Sequence, residues 1–344
     1  MTEKNGTRLA ELDALRGLAA LAVVLFHYLS QYQHISPIGQ SSALSLPWGR
    51  FGVEIFFGIS GFVIFMTLRN TRTATDFIVS RFARLFPAYW AAIIVTTAVV
   101  HLCNAGYLHI SAGALAVNFT MLQGHLTVDH ADGAYWSLSV ELGFYAIMLF
   151  LWRLKLLDRI EWALIVWIAL KLLWWLFPGL SWRLSYILIV EYIPFFAVGV
   201  AAFRVWSGER RWIQQLPLLA FGYFVVILID PWPMTLVYPI SLAIFAAIAT
   251  NRTGFLRRGA LIWLGSISYP LYLIHQYAGF AIMDALQIAG IPPLVAITVA
   301  LTLVLSVASM ITRFIERPAL HIIRNKWRTK AVFLNQRTTE PVSQ

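Results

Sequence analysis

Long apolar runs recur along the whole chain and are separated by shorter polar segments. Many of the runs contain about 20 residues, which is enough for an α-helix to cross a hydrocarbon core of about 30 Å. The pattern therefore predicts an all-α fold, a polytopic transmembrane helical bundle of about ten spans. The predicted helices cover residues 12–33, 50–68, 86–103, 137–152, 161–177, 187–204, 215–230, 236–250, 266–288 and 293–314.

The same pattern divides the chain into three parts. Residues 1–11 form an N-terminal segment, residues 12–320 a membrane-embedded domain, and residues 321–344 a polar tail that is predicted to be disordered from about Asn325. The first apolar run follows two basic residues, as in a secretory signal, but it is too long for one and no small-residue cleavage site follows. We interpret it as a retained first helix.

Composition supports the membrane interpretation, because 59% of the residues are hydrophobic and only 12% are charged. The net charge of +10 does not indicate a nucleic-acid partner, because the cations are spread over alternate loops instead of one basic surface. Of the 26 Lys and Arg residues, only Arg50, Lys171 and Arg183 fall outside the chain ends and every second predicted loop. By the positive-inside rule, this alternation predicts that both termini are cytoplasmic.

Cysteine usage and one outer loop bear on metal binding. The single cysteine, Cys103, excludes an intrachain disulfide and a Cys-rich metal site. The predicted outer loop, residues 104–136, contains "HLTVDHADG", whose His and Asp side chains are of the types that ligate metals. A solvated loop near the substrate entrance is the simpler interpretation, and we expect no metal site.

The first helix carries two ionisable residues, Arg16 and His27, which are costly in a membrane unless they face a polar interior. They are eleven positions apart, which is three helical turns plus about 20°, so both are predicted to project from one face about 16 Å apart. Histidine is the natural proton acceptor near neutral pH. The alternative is that Arg16 extends to the membrane interface and His27 makes a hydrogen bond in the bundle core.

A pair of arginines, Arg81 and Arg84 in "SRFARLFPAYW", lies at positions i and i+3 and therefore on one face of a helix. The planar guanidinium group matches phosphate oxygens, so the pair is predicted to bind a phosphate-bearing ligand on the cytoplasmic side. Contact with lipid head groups, together with a topology signal, is the alternative.

A third polar group lies in "AYWSLSVELGFY", where Glu141 falls in the first turns of the fourth predicted helix, on the outer side. Its carboxylate is suited to orienting an imidazole or binding a sugar hydroxyl. Trp136, Ser139 and Tyr145 flank it and suit a carbohydrate, although Trp and Tyr also populate every membrane interface.

Two further segments are noted. "FFGISGF", residues 56–62, does not match the Gly-x-Ser-x-Gly pattern of a nucleophile elbow, so its glycines and Ser60 are interpreted as allowing close helix packing. Lys171, Glu191 and His275 are also in or near predicted spans, and His275 in "SYPLYLIHQ" is the first of them to test.

These segments together resemble acyltransferase family 3, a bacterial family of integral-membrane O-acyltransferases. The family's first helix carries Arg or Lys, ten residues and then His, which correspond here to Arg16 and His27. "GVEIFFGISGFVI" also resembles the family pattern, with one departure: the family usually has Asp where Glu54 stands. The resemblance continues in order through "RFARLFPAYW", "WSLSVELGFY", "LGSISYPLYLIH" and "IERP", and covers residues 12 to about 320. The chain ends soon after the tenth predicted helix, which resembles the stand-alone, exopolysaccharide- or O-antigen-modifying type.

The resemblance implies transfer of an acyl group, commonly acetyl, from cytoplasmic acyl-CoA to a hydroxyl of a cell-surface glycan or a related acceptor such as a lipid-linked saccharide, in the bacterial inner membrane. The acyl-CoA would be a substrate, with no permanently bound cofactor. Direct transfer with His27 as base and transfer through an acylated His27 both stay open. A proton-coupled transporter and an acyltransferase that uses a succinyl donor are the competing hypotheses. The expected site comprises catalytic His27, Arg16 and Glu141, donor-binding Arg81 and Arg84, and acceptor-binding Trp136, Ser139 and Tyr145.

Overall fold

In the computed structural model, the backbone is described for residues 2–339 and the side chains for residues 10–327 and 329. Within these residues the chain is helical and contains no strand, which confirms the predicted all-α class. The α-helices are α1 Thr2–Phe26, α2 Tyr32–Ile35, α3 Gly52–Arg69, α4 Ala74–Leu102, α5 Ala112–Asn118, α6 Trp136–Arg153, α7 Ile160–Leu176, α8 Trp182–Ile187, α9 Ile193–Trp206, α10 Trp212–Ile229, α11 Trp232–Ala249, α12 Gly259–Ile274, α13 Gln276–Ile288, α14 Pro293–Ile311 and α15 Arg317–Thr339.

Seven helical segments of the described chain are long and apolar enough to cross a membrane, so the protein is a multi-pass membrane protein. Two shorter apolar helices, α9 and α12, and the 17-residue α7 correspond to further predicted spans. The count of ten spans and the orientation of the termini stay predictions. The seven segments are Ala10–Ile35, Pro47–Arg69, Ala74–Leu102, Gly133–Arg153, Trp212–Ile229, Trp232–Ala249 and Pro293–Trp327.

The third membrane-spanning helix begins earlier than the sequence predicts. Helix α4 begins at Ala74 and not at residue 86, because Thr73 and Asp76 form a reciprocal capping box there. Pro87 lies inside the helix without ending it. The arginine pair, which the sequence places on a short segment before this helix, is therefore part of α4 itself.

Two other predicted elements are wrong in their bounds. The predicted helix 266–288 is divided at His275 into α12 and α13. The tail is not disordered from Asn325, because α15 continues through Thr339 and Trp327 Nε1 anchors it by donating to Asp76 Oδ1 at 2.7 Å. Residues 340–344 lie outside the described residues.

Close backbone contacts position the helices that form the site. A Cβ atom on Gly17 of α1 would lie 2.5 Å from the backbone nitrogen of Gly265 on α12, so these two helices touch backbone to backbone. On α3, a Cβ on Gly58 would overlap the ring of Phe245 on α11, and a Cβ on Gly61 would overlap the backbone of α9. The packing role predicted for the glycines of "FFGISGF" is confirmed.

Candidate active site

A cavity of about 340 Å³ lies between α1, α3, α4, α6, α12 and α15. Both basic and acidic side chains line it, although it is enclosed by membrane-spanning helices. Buried charges are retained in such helices where they face a polar interior or a substrate path. The polar residues in its wall are Asp13, Arg16, Ser60, Arg81, Arg84, Ser137, Glu141, Tyr145, Ser268, Tyr269, Tyr272 and Arg324.

Arg16 on α1 and Arg81 and Arg84 on α4 bring three guanidinium groups to this wall, and hydrogen bonds within the described residues engage only part of each group. Arg16 Nη1 lies 3.0 Å from Asp13 Oδ1, one turn away on α1. Arg84 pairs with Glu316, whose side chain is 2% exposed. Arg81 Nη2 donates to Ser80 Oγ at 3.3 Å, and its Nε is buried without a hydrogen-bond partner among the described residues. The cavity thus has cationic donors available to an anion.

The carboxylate of Glu141 lies in the wall of this same cavity. It accepts hydrogen bonds from Ser60 on α3 and from Tyr145 Oη, the latter at 2.6 Å, both on Oε1. The sequence places Glu141 on the side away from the arginines, whereas the structure brings it into the cavity with them. The i, i+4, i+8 spacing of Ser137, Glu141 and Tyr145 explains this, because it puts all three on one face of α6.

Two of the three predicted acceptor residues lie outside the cavity lining. Trp136 packs against the aromatic rings of Phe57 and Tyr192, with centroid distances of 6.3 and 5.3 Å. Ser139 is fully buried, and its carbonyl oxygen lies 3.0 Å from His125 Nε2. Of this group, only Tyr145 shares the cavity with Arg81 and Arg84.

His27 lies farther along α1, where the helix gives way to a π-helical turn, His27–Gln31. Such turns are rare and often occur at functional sites. His27 Nδ1 lies 2.8 Å from the carbonyl oxygen of Val23, and 3.2 Å from His275 Nε2. His275 Nδ1 in turn lies 2.7 Å from the carbonyl oxygen of Tyr272.

These contacts assign the proton positions of the two rings. A carbonyl oxygen only accepts, so in the neutral form Nδ1 of each histidine carries the proton. The one hydrogen of His27 Nδ1 is then shared between the nearer Val23 carbonyl oxygen and His275 Nε2, and His27 Nε2 keeps its lone pair. His27 is therefore held in the tautomer whose Nε2 is unprotonated, which is the form that acts as a base. Fully buried His275 helps to hold His27 in that tautomer.

One tyrosine connects the histidine pair to the cavity. Tyr272 lines the cavity, and its ring centroid lies 5.5 Å from that of His275. Its hydroxyl lies 2.7 Å from Ser137 Oγ and 3.2 Å from the carbonyl oxygen of Ala134. Arg16 is among the cavity-lining residues and His27 is not, so the structure does not bring the two together in this cavity as the predicted shared polar face implies.

The loop of residues 104–136, which carries the possible metal ligands, makes structural contacts in the described residues. Asp132 Oδ1 and Oδ2 accept from the backbone nitrogens of Ala134 and Tyr277, at 3.0 and 2.9 Å. Burial lowers the pKa of His125, which favours the neutral ring that bonds the Ser139 carbonyl. No group of three or more His, Cys, Asp or Glu side chains in the described chain is arranged to hold a metal ion.

Sequence reasoning gave no role to Glu316 and left His275 without a partner. Glu316 lies within "IERP", at the end of a π-helical turn, Thr312–Glu316, and its partner Arg84 is more than 200 residues away in sequence. One local signal pointed to Glu316: a carboxylate at the end of an apolar helix needs a polar or charged partner in a membrane.

Comparison with known proteins adds independent information. A family model described as an acyltransferase domain matches residues 9–313. Acyltransferase MdmB of Streptomyces mycarofaciens is 26% identical over 305 residues, which cover 78% of each chain. Exopolysaccharide production protein ExoZ of Rhizobium meliloti is 26% identical, with 74% of this chain and 81% of ExoZ covered. A Staphylococcus aureus protein provisionally named an O-acetyltransferase is 23% identical, with 89% of this chain and 56% of that protein covered. No solved structure matches.

Proposed function

Because the chain belongs to the acyltransferase family whose model spans residues 9–313, we propose that this membrane O-acyltransferase moves an acetyl group from cytoplasmic acyl-CoA to a hydroxyl of a cell-surface glycan. The observation that carries the proposal is the arginine-lined cavity beside a histidine pair. The cavity supplies cations for a phosphate-bearing donor, and the pair supplies a base. The resemblance to ExoZ supports a glycan acceptor.

The donor is assigned to the cavity on electrostatic grounds. Acyl-CoA carries several phosphate oxygens, and Arg81 and Arg84 present their guanidinium groups on adjacent turns of α4. Arg16 lies in the same wall and helps to hold the donor. Glu316 keeps Arg84 paired, so that the cation does not remain without a counter-charge inside the bundle.

The chemical step is assigned to His27. Its Nε2 accepts the proton of the acceptor hydroxyl as that oxygen attacks the thioester carbonyl, and the carbon–sulfur bond then breaks. The departing CoA thiolate takes the proton back, which balances the step. An acyl-histidine route would use the same lone pair. Either route requires the thioester to pass Tyr272, the side chain between cavity and histidine pair.

The test is transfer of label from radioactive acetyl-CoA to surface glycan in membrane vesicles, with mass spectrometry of the glycans of cells with and without the gene. We expect an acetyl increment that depends on His27. Unchanged glycans in both strains, or substrate flux without CoA, would refute the acyltransferase assignment and favour the transporter.

The orientation in the bacterial inner membrane is tested separately. Single cysteines are introduced at the exposed positions Arg72, Arg252 and Asp129 after replacement of Cys103, and labelled with a membrane-impermeant reagent. We expect residue 129 to be labelled from outside, and residues 72 and 252 only after the membrane is opened. The reverse pattern would exclude use of cytoplasmic donor through this cavity.

A further inference from the structure

A second cavity, of about 370 Å³, lies where α3 and α6 end. We propose that it binds the head group of an anionic phospholipid. Its wall combines the cations Arg69, Arg153 and Lys155 with Asp158 and the indole of Trp152. None of these residues lines the arginine-lined cavity described above, so the site is distinct from the one assigned to acyl transfer.

The cations of this cavity are not equally available. Arg69 is occupied, since its Nη1 donates to Asp158 Oδ1 at 2.5 Å and its Nε to Glu209 Oε1 at 3.2 Å. Arg153 and Lys155 are exposed and form no ion pair within the described part of the chain. The cavity therefore has two cations in excess, which an external anion would neutralise.

Exposed apolar side chains lie close in sequence to the cations of this cavity, which favours a lipid ligand over a free anion. Phe150 is 61% exposed, and Leu154 and Leu156, on either side of Lys155, are 50% and 36% exposed. Lys155 adopts a left-handed backbone conformation, with φ of 59°, just after α6 ends. Cationic and apolar groups thus alternate over a few residues, as a phosphodiester joined to acyl chains requires.

The location fits the same ligand. The cavity lies at the end of the bundle that carries the basic loops, which the charge alternation places at the cytoplasmic leaflet. Anionic head groups bind basic pockets between helices there. Cations near the end of α6 would also interact favourably with its carbonyl groups, but that role predicts no dependence on lipid.

The experiment titrates the purified full-length protein in detergent with dioleoyl-phosphatidylglycerol, with dioleoyl-phosphatidylcholine and with inorganic phosphate. Binding is measured by native mass spectrometry and by the midpoint of thermal unfolding. The test variant is Arg153→Gln/Lys155→Gln. The matched control, Arg252→Gln/Arg258→Gln, removes two exposed cations from another loop on the same side.

We expect phosphatidylglycerol to bind more tightly than phosphatidylcholine, and the test variant to bind it about 25-fold more weakly, about fivefold for each cation. The control variant should bind like the wild type. Equal binding of the two lipids, equal stabilisation by inorganic phosphate, or unchanged affinity in the test variant would overturn the proposal. If the test variant in lipid-free detergent has a higher KM for acyl-CoA than the wild type, the two cations belong to the donor site instead. That result would also overturn the lipid proposal.

Discussion

Two carboxylates accept hydrogen bonds from hydroxyl groups with different consequences, one of them buried, Asp284, and the other half-buried, Glu141. Asp284 accepts from Tyr32, Ser36 and Tyr107 at 2.7, 2.6 and 2.7 Å, and these donors occupy both of its oxygens. Glu141 receives both of its hydroxyl donors on the single oxygen Oε1, and lies in a cavity wall with arginines. The first carboxylate is satisfied by the protein, whereas the second retains capacity for a ligand.

The contrast separates structural from functional polar groups in a membrane. A satisfied network fixes helices relative to one another, as Asp284 does for α2, α13 and the loop that carries Tyr107. An incompletely partnered group costs free energy, and its retention indicates a use. Arg81 and Glu316 each have a buried polar atom without a hydrogen-bond partner among the described residues; Arg81 lines the candidate active-site cavity, and Glu316 pairs with Arg84 in its wall.

The largest effect is expected at His27. His27→Gln keeps volume and some hydrogen bonding but cannot accept a proton at neutral pH, so acetyl transfer should fall at least about a hundredfold, with little change in thermal stability. His27→Ala should lose as much. His34→Gln, an exposed histidine beyond the same π-helical turn, is the control and should retain activity. Substantial activity in His27→Gln would make the histidine pair a structural contact like the Asp284 network.

The arginines should come next. Arg81→Ala should raise the KM for acyl-CoA about ten- to hundredfold, because a charge-assisted phosphate contact is lost. Exposed Arg72→Ala, nearby in the chain, serves as the control. A KM equal to that of wild type would remove Arg81 from the donor site.

Arg84→Ala requires a further control, since it leaves buried Glu316 unpaired. We expect a similar rise in KM together with lower stability. Adding Glu316→Gln to the Arg84→Ala variant should restore its stability but leave its KM raised. Recovery of both would show that Arg84 acts only through Glu316.

The sequence predicted the helical class and named Arg16, Arg81, Arg84, Glu141 and Tyr145 as candidate site residues, because apolar periodicity and ordered motifs are local signals. It separated Glu141 from the arginines, whereas one cavity is lined by all of them, because depth along a helix does not determine which cavity a side chain enters. Pairs such as Arg84 with Glu316 depend on tertiary packing between distant segments, which no local pattern encodes. The two π-helical turns were missed for a similar reason.

A smaller effect is expected at Arg16. Arg16→Lys keeps a cation near Asp13 and should retain activity within about tenfold of wild type, because a point charge replaces a planar fork. Arg16→Ala should have at most about a tenth of the activity of Arg16→Lys. Equal activity of the two variants in the acetyl-transfer assay would mean that the charge at this position is not used, and that Arg16 only fills space in the wall.

The smallest effect on activity is expected at Asp284, and it tests the comparison directly. Asp284→Asn changes an acceptor of three hydroxyl hydrogen bonds into a group with one acceptor oxygen and two donor hydrogens. At least one hydroxyl then loses its acceptor, so stability should fall by about 1–3 kcal/mol. Activity per folded molecule should stay within about twofold of wild type. Glu141→Gln should show the opposite, near-normal thermal stability with a loss of transfer of about tenfold or more. Measuring both variants for unfolding midpoint and for acetyl transfer decides the matter: a large activity loss in Asp284→Asn at normal stability would place that carboxylate in the functional site.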